Sequence, residues 1–138
     1  ITKMNEKAFL EKLTYVSQAE SVVKSLVRDQ WNPNQIVLTT SQLRNILAMV
    51  NELYTSVQYD KSPVLSDDIQ SKIQYVKMKI AYNVGRDSTR EKAVRDFVAK
   101  SKLMEYLNMV GNSREKLLLV CNYTEALVAY HRYYGGKD

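Results

Sequence analysis

Apolar side chains recur at spacings of three and four along most of the chain. Leu43, Ile46, Leu47, Val50, Leu53, Tyr54 and Val57 form one such row, and Ile69, Ile73, Val76, Ile80 and Val84 form another. That spacing places each row on one face of a helix. The pattern predicts five helices, at about 5–29, 40–60, 66–86, 89–110 and 113–134. No sheet is expected, because every long periodic segment has the helical spacing. Five such helices with short links make an all-α compact bundle, a single domain over 1–138. The run Leu117–Cys121 is apolar most of the way round, which makes the last helix the central one.

Start and stop signals fall where the rows begin and end. Thr39 with Gln42 reads as a capping box, and Ser66 with Asp67 and Asp68 as a capped, acidic helix start. Ser88 with Glu91, and Asn112 with Glu115, read as the openings of the last two helices. Gly111 suits a left-handed cap, and Gly135-Gly136 ends the last helix. Pro33 and Pro63 lie in the linkers, where no backbone donor is missed.

Composition removes most chemistry. One cysteine, Cys121, forms no internal disulfide and predicts a reducing, cytoplasmic setting. One cysteine and one histidine, His131, do not make a zinc site of the usual kind. Four glycines form no phosphate-cradling loop, so no nucleotide cofactor is expected. The longest apolar run is far short of the roughly 20 residues that cross a bilayer. The segment Ile1–Glu6 carries charge and does not read as a secretory leader. Cys121 sits in the most apolar run, where a thiol packs as a small hydrophobe, so no Cys–His enzyme is expected.

Charge changes the picture more. The net charge is +5. Between Lys72 and Lys116 stand 11 basic and 5 acidic residues, so the whole surplus lies in one third of the chain. An acidic partner such as a nucleic acid fits that distribution, and a merely solvated basic surface fits it too. Within the third helix, Lys72, Tyr75, Lys79, Tyr82 and Arg86 step by three and four into a second stripe, roughly 120° from the apolar one. Cations interleaved with tyrosines suit a nucleic-acid strand, the cations meeting phosphates and the rings stacking. Alternatively, the tyrosines close the rim of the core. Lys77 falls on the opposite flank. Arg44 is the single cation of the second helix, and Thr39, Thr40, Ser41, Gln42 and Asn45 surround it with hydrogen-bonding groups. A helix start with hydroxyls and an arginine offers a phosphate seat, or is an ordinary cap beside a solvated arginine. A helix-turn-helix does not fit, because ten residues, Gln30 to Thr39, separate the helices where that motif allows a turn of 3–4.

The stretch Leu38-Thr39-Thr40-Ser41-Gln42-Leu43-Arg44-Asn45-Ile46-Leu47 resembles the opening motif of the small subunit of type III-A CRISPR effector complexes, the Csm complexes. Ile73–Lys79 with Gly85-Arg86 is similar to that family's basic block. Asp96-Phe97-Val98 with Lys102-Leu103 is similar to its fourth helix. Tyr123–His131 with Gly135-Gly136 is similar to its C-terminal signature. The resemblance implies an all-helical subunit without catalytic activity. It implies copies stacked in a filament, beside backbone subunits that hold crRNA and a large subunit, along the channel where target RNA pairs. The cations at the family's basic positions are Arg44, Lys77, Lys79 and Arg86. Lys72, from the stripe, and Arg132, after His131, complete the expected RNA-binding set. Lys77 and Lys79 do not face the same way on one helix, so one of them is expected to meet a neighbouring subunit. The other reading from the residues is a helical protein-interaction module with a solvated basic face.

Overall fold

The computed structural model describes residues 8–136. Among them run six helices: α1 (Tyr15–Lys24), α2 (Thr40–Val57), α3 (Asp67–Arg86), α4 (Ala93–Ser101), α5 (Leu103–Met109) and α6 (Arg114–Tyr133). No strand is present among the described residues. Two isolated antiparallel bridges, Arg28 to Ile36 and Val64 to Ser113, tie linkers together.

The expected caps at α2 and α3 form. Thr39 Oγ1 accepts from Gln42 N at 3.1 Å, and Gln42 Oε1 accepts from Thr39 N at 2.9 Å. Ser66 Oγ accepts from Ile69 N at 3.3 Å, with Asp67 and Asp68 in the first turn. These bonds satisfy donors that have no partner inside the helix.

Several boundaries differ from the periodicity. The first helix covers Tyr15–Lys24 rather than 5–29, of which residues 5–7 lie outside the described residues. Its C-terminal end is taken over by tertiary partners. Lys100 Nζ donates to Ser25 O at 2.5 Å, and Val27 N donates to Asp96 Oδ2 at 2.9 Å. The segment expected as one helix over 89–110 is two, α4 and α5, broken at Lys102 in the left-handed conformation (φ 59°). It begins at Ala93, because Asp87 and Thr89 cap it in place of Ser88 and Glu91. Thr89 Oγ1 accepts from Ala93 N at 3.0 Å, and Asp87 Oδ2 from Val94 N at 2.8 Å. Ser113, not Asn112, caps α6, accepting from Lys116 N at 3.2 Å.

One hydrophobic cluster runs through the bundle. α6 packs along α1, α2 and α5, and contributes Leu117, Val120, Tyr123 and Leu127 to the fully buried core. α3 packs on α2, α4 and α5 through Ile69, Ile73, Val76 and Ile80. Each such side chain gains about 1.5–3 kcal/mol by leaving water. Their burial fixes the rotation of α3, and the stripe 120° away is thereby turned outward.

Candidate nucleic-acid interface

The helices α2 and α3 run antiparallel, and their side chains meet across the seam at two levels. Asn45 Nδ2 donates to Asn83 Oδ1 at 3.0 Å, and Lys72 Nζ donates to Ser56 Oγ at 3.0 Å. Eleven residues separate the two levels on each helix, about 16 Å at 1.5 Å per residue. Each level opens into a cavity. At the first, about 530 Å³ is lined by Ser41, Arg44, Asn45, Asn83, Arg86 and Ser88, among others. At the second, about 830 Å³ is lined chiefly by α2 from Ala48 to Ser56 and by Lys72, Tyr75 and Val76 of α3.

Arg44 comes from the first turns of α2 and Arg86 from the last residue of α3, so the antiparallel pairing brings the two guanidinium-bearing residues to one cavity. Both side chains are exposed. Between the levels, Lys79 Nζ lies 5.3 Å from the Tyr75 ring centroid, and the Arg86 guanidinium lies 5.8 Å from that of Tyr82. Tyr75 is 56% exposed and Tyr82 66%, so more than half of each side chain faces solvent. Among the described residues, none of Arg44, Lys72, Lys79 and Arg86 is within ion-pair distance of a carboxylate. Asp87 lines the first cavity and Glu52 the second, but neither is in an ion pair with these cations, which therefore keep donors for an incoming anion.

Two expected residues do not join this face. Lys77, like Lys79, is half-buried and lines neither cavity, but it lies on the opposite flank of α3, whereas Lys79 sits over the Tyr75 ring of the stripe. Arg132 is exposed in the last turn of α6 and also lines neither.

The Csm2 Type III-A family model matches residues 11–137. The chain is 40% identical over 124 residues to a CRISPR system Cms protein Csm2 of Mycobacterium tuberculosis, covering 90% of this chain and 94% of that protein. It is 37% identical over 131 residues to the protein of the same description from Streptococcus thermophilus, covering 95% and 99%. The Enterococcus italicus counterpart is 39% identical over 118 residues, 81% of each chain. The chain belongs to the Csm2 family. Membership of a Csm complex, alongside other Csm subunits, goes with that family.

Several residues that carry the likeness to Csm2 hold the fold rather than the face. Asp96 takes Val27 N and pairs with Lys100 Nζ at 2.9 Å, while Phe97 is fully buried. Tyr123 OH donates to Ser101 O at 2.9 Å, and its ring stands edge-on to Tyr106 at 5.6 Å. His131 is fully buried, with Nε2 2.7 Å from Leu38 O. Burial pushes its imidazole below the ordinary histidine range, helped by the Arg132 charge and opposed by the Leu38 bond. The Cys121 thiol donates to Val50 O at 3.8 Å, and burial pushes it up to about 12. Cysteine and histidine therefore bond to separate main-chain carbonyls. Among the described residues no cluster of three metal-ligating side chains occurs, and no helix is long and apolar enough to cross a membrane.

Sequence reasoning missed Asn83, while Asp87, which reads with Glu91 as a helix N-terminal acid, does accept from the first turn of α4. Asn83 stands four residues after Lys79 and gives Nδ2 to Lys79 O at 2.9 Å, an i−4 bond that periodicity alone does not announce. Asp87 is buried at the cavity edge, where burial would raise its carboxyl. The backbone donors of Thr89 and Val94, the Thr89 hydroxyl and the Lys92 charge outweigh that and hold it below the usual range. The Asp-x-Thr spacing from 87 to 89 was its available signal.

Proposed function

We propose that this Csm2-family chain is the non-catalytic small subunit of a type III-A CRISPR ribonucleoprotein effector in antiviral defence. Copies stack as a filament beside the backbone and large subunits in the cytoplasm. The α2–α3 face meets the crRNA–target RNA duplex through its phosphates. Arg44 and Arg86 take phosphate oxygens at the first cavity, and Lys79 and Lys72 continue the track along α3. Lys77 and Arg132 supply further cationic contacts off this face, to RNA or to a neighbouring subunit. No metal or cofactor takes part.

One observation carries the reading: two helices converge to place Arg44 and Arg86 at one cavity, neither in an ion pair, at the end of a row formed by Lys72, Tyr75, Lys79 and Tyr82. Contacts of this kind read shape and backbone, as a subunit that accepts any guide requires. A complex reconstituted with crRNA and target RNA and irradiated with ultraviolet light tests it. Crosslinked peptides should come from 72–86, with adducts on Tyr75 or Tyr82. Adducts confined to other surfaces would assign the face to protein contacts, the interaction-module reading.

A further inference from the structure

The first cavity holds more than cations, and its hydrogen-bond directions are fixed. Asn83 Nδ2 donates to the main-chain carbonyl of Lys79 at 2.9 Å, and a carbonyl only accepts. That bond settles the orientation of the Asn83 amide. Its Oδ1 then faces Asn45 and accepts from Asn45 Nδ2 at 3.0 Å. The relay settles the second amide in turn. Asn45, exposed and at the cavity wall, is left with Oδ1 as an oriented acceptor that no described residue occupies. The Asp87 carboxylate at the same cavity is already engaged by Thr89 N at 2.9 Å and Val94 N at 2.8 Å.

A phosphate is an acceptor and needs donors alone, which Arg44 and Arg86 supply. An aligned amide oxygen beside them has no use for phosphate. It matches a ligand that carries a hydrogen-bond donor close to its phosphate. In a ribonucleotide strand that donor is the 2′-hydroxyl, and a deoxyribonucleotide strand lacks it. A volume of about 530 Å³ admits a group of sugar-phosphate size. We propose that Asn45 Oδ1 accepts from a target-strand 2′-hydroxyl while Arg44 and Arg86 hold the adjoining phosphate, so that this cavity selects ribose over deoxyribose. Asn83 is the positioning residue that holds the Asn45 amide in the accepting orientation. This rests on the phosphate-binding reading of the same face.

The test uses the reconstituted complex with crRNA and compares target RNA with the same target carrying 2′-fluoro groups. Fluorine keeps the sugar in an RNA-like form and cannot donate. Wild-type complex should bind the hydroxyl target more tightly. Asn45→Ala should shrink that preference by about two- to ten-fold, the worth of one neutral hydrogen bond. Asn83→Ala should shrink it by less, and neither should change the salt dependence. Ratios between variants cancel the sugar contacts made by other subunits. An unchanged preference in Asn45→Ala, with Arg44→Ala still weakening both targets, would overturn the ribose selection and leave the phosphate contact standing. If Arg44→Ala and Arg86→Ala also change nothing, the phosphate-binding reading itself fails.

Discussion

The His131 ring shows how one buried side chain serves a distant surface. Its Nε2 holds Leu38 O, and Leu38 directly precedes Thr39, the cap of the helix that carries Arg44. Nδ1 is buried with no partner among the described residues, and a side chain at Gly136 would collide with the ring. The folded state therefore favours the neutral imidazole. A base whose folded pKa is lowered contributes stability that is complete above its unfolded value, about 6.5, and is lost as pH falls below it. Chemical denaturation between pH 7.5 and 5 should show stability falling on that limb, and His131→Asn should flatten it. Asp87→Ala removes the acceptor of Val94 N and Thr89 N, and should cost about 1–3 kcal/mol in the same assay. The Cys121 thiol, raised to about 12, should resist a disulfide reagent until the protein is unfolded. Rapid modification of the native protein would show that the core around Val50 opens.

At the level of elements, the sequence was most legible where a local bond and the apolar period agree. Thr39 with Gln42, and Ser66 with Asp67, start α2 and α3 within a residue of expectation, and Gly111 takes the left-handed conformation (φ 58°) after α5. It was least legible where a residue without any turn preference takes a special backbone conformation. Lys92 (φ 54°) and Lys102 (φ 59°) sit in the left-handed region that favours glycine. Periodicity runs straight through Lys102, so the α4–α5 break left no mark. Fully buried Phe97 and Leu103, on either side, decide the turn through tertiary packing. Lys102→Gly should relieve the strain and raise stability by about 0.5–1 kcal/mol, measured by urea denaturation. The end of α1 was hidden for the same reason, since Asp96 and Lys100 lie some seventy positions away in sequence.

At the scale of the whole molecule, Lys72, Lys79 and Arg86 of α3 come onto one face with Arg44 of α2 only because α2 and α3 pair antiparallel. The stripe on α3 was readable from helical period. That Arg44 of α2 would meet Arg86 at one cavity was not, because no local pattern encodes which helices are neighbours. Lys77 and Arg132 show the converse: a basic residue in a familiar motif need not share the face.

The most direct test of that face is the affinity of reconstituted complex for target RNA across a range of salt concentrations. Wild type is compared with the triple variant Arg44→Ala, Lys79→Ala, Arg86→Ala. Arg44 and Arg86 are exposed and Lys79 is half-buried at the surface, so the variant should fold and assemble, with stability changes of about 0.5 kcal/mol at each position. Target binding should weaken for every target sequence. The slope of log affinity against log salt should fall by about 0.7–0.9 for each phosphate contact removed. Unchanged affinity and slope, with the small subunit at full occupancy, would contradict the account and leave these cations as solvated surface.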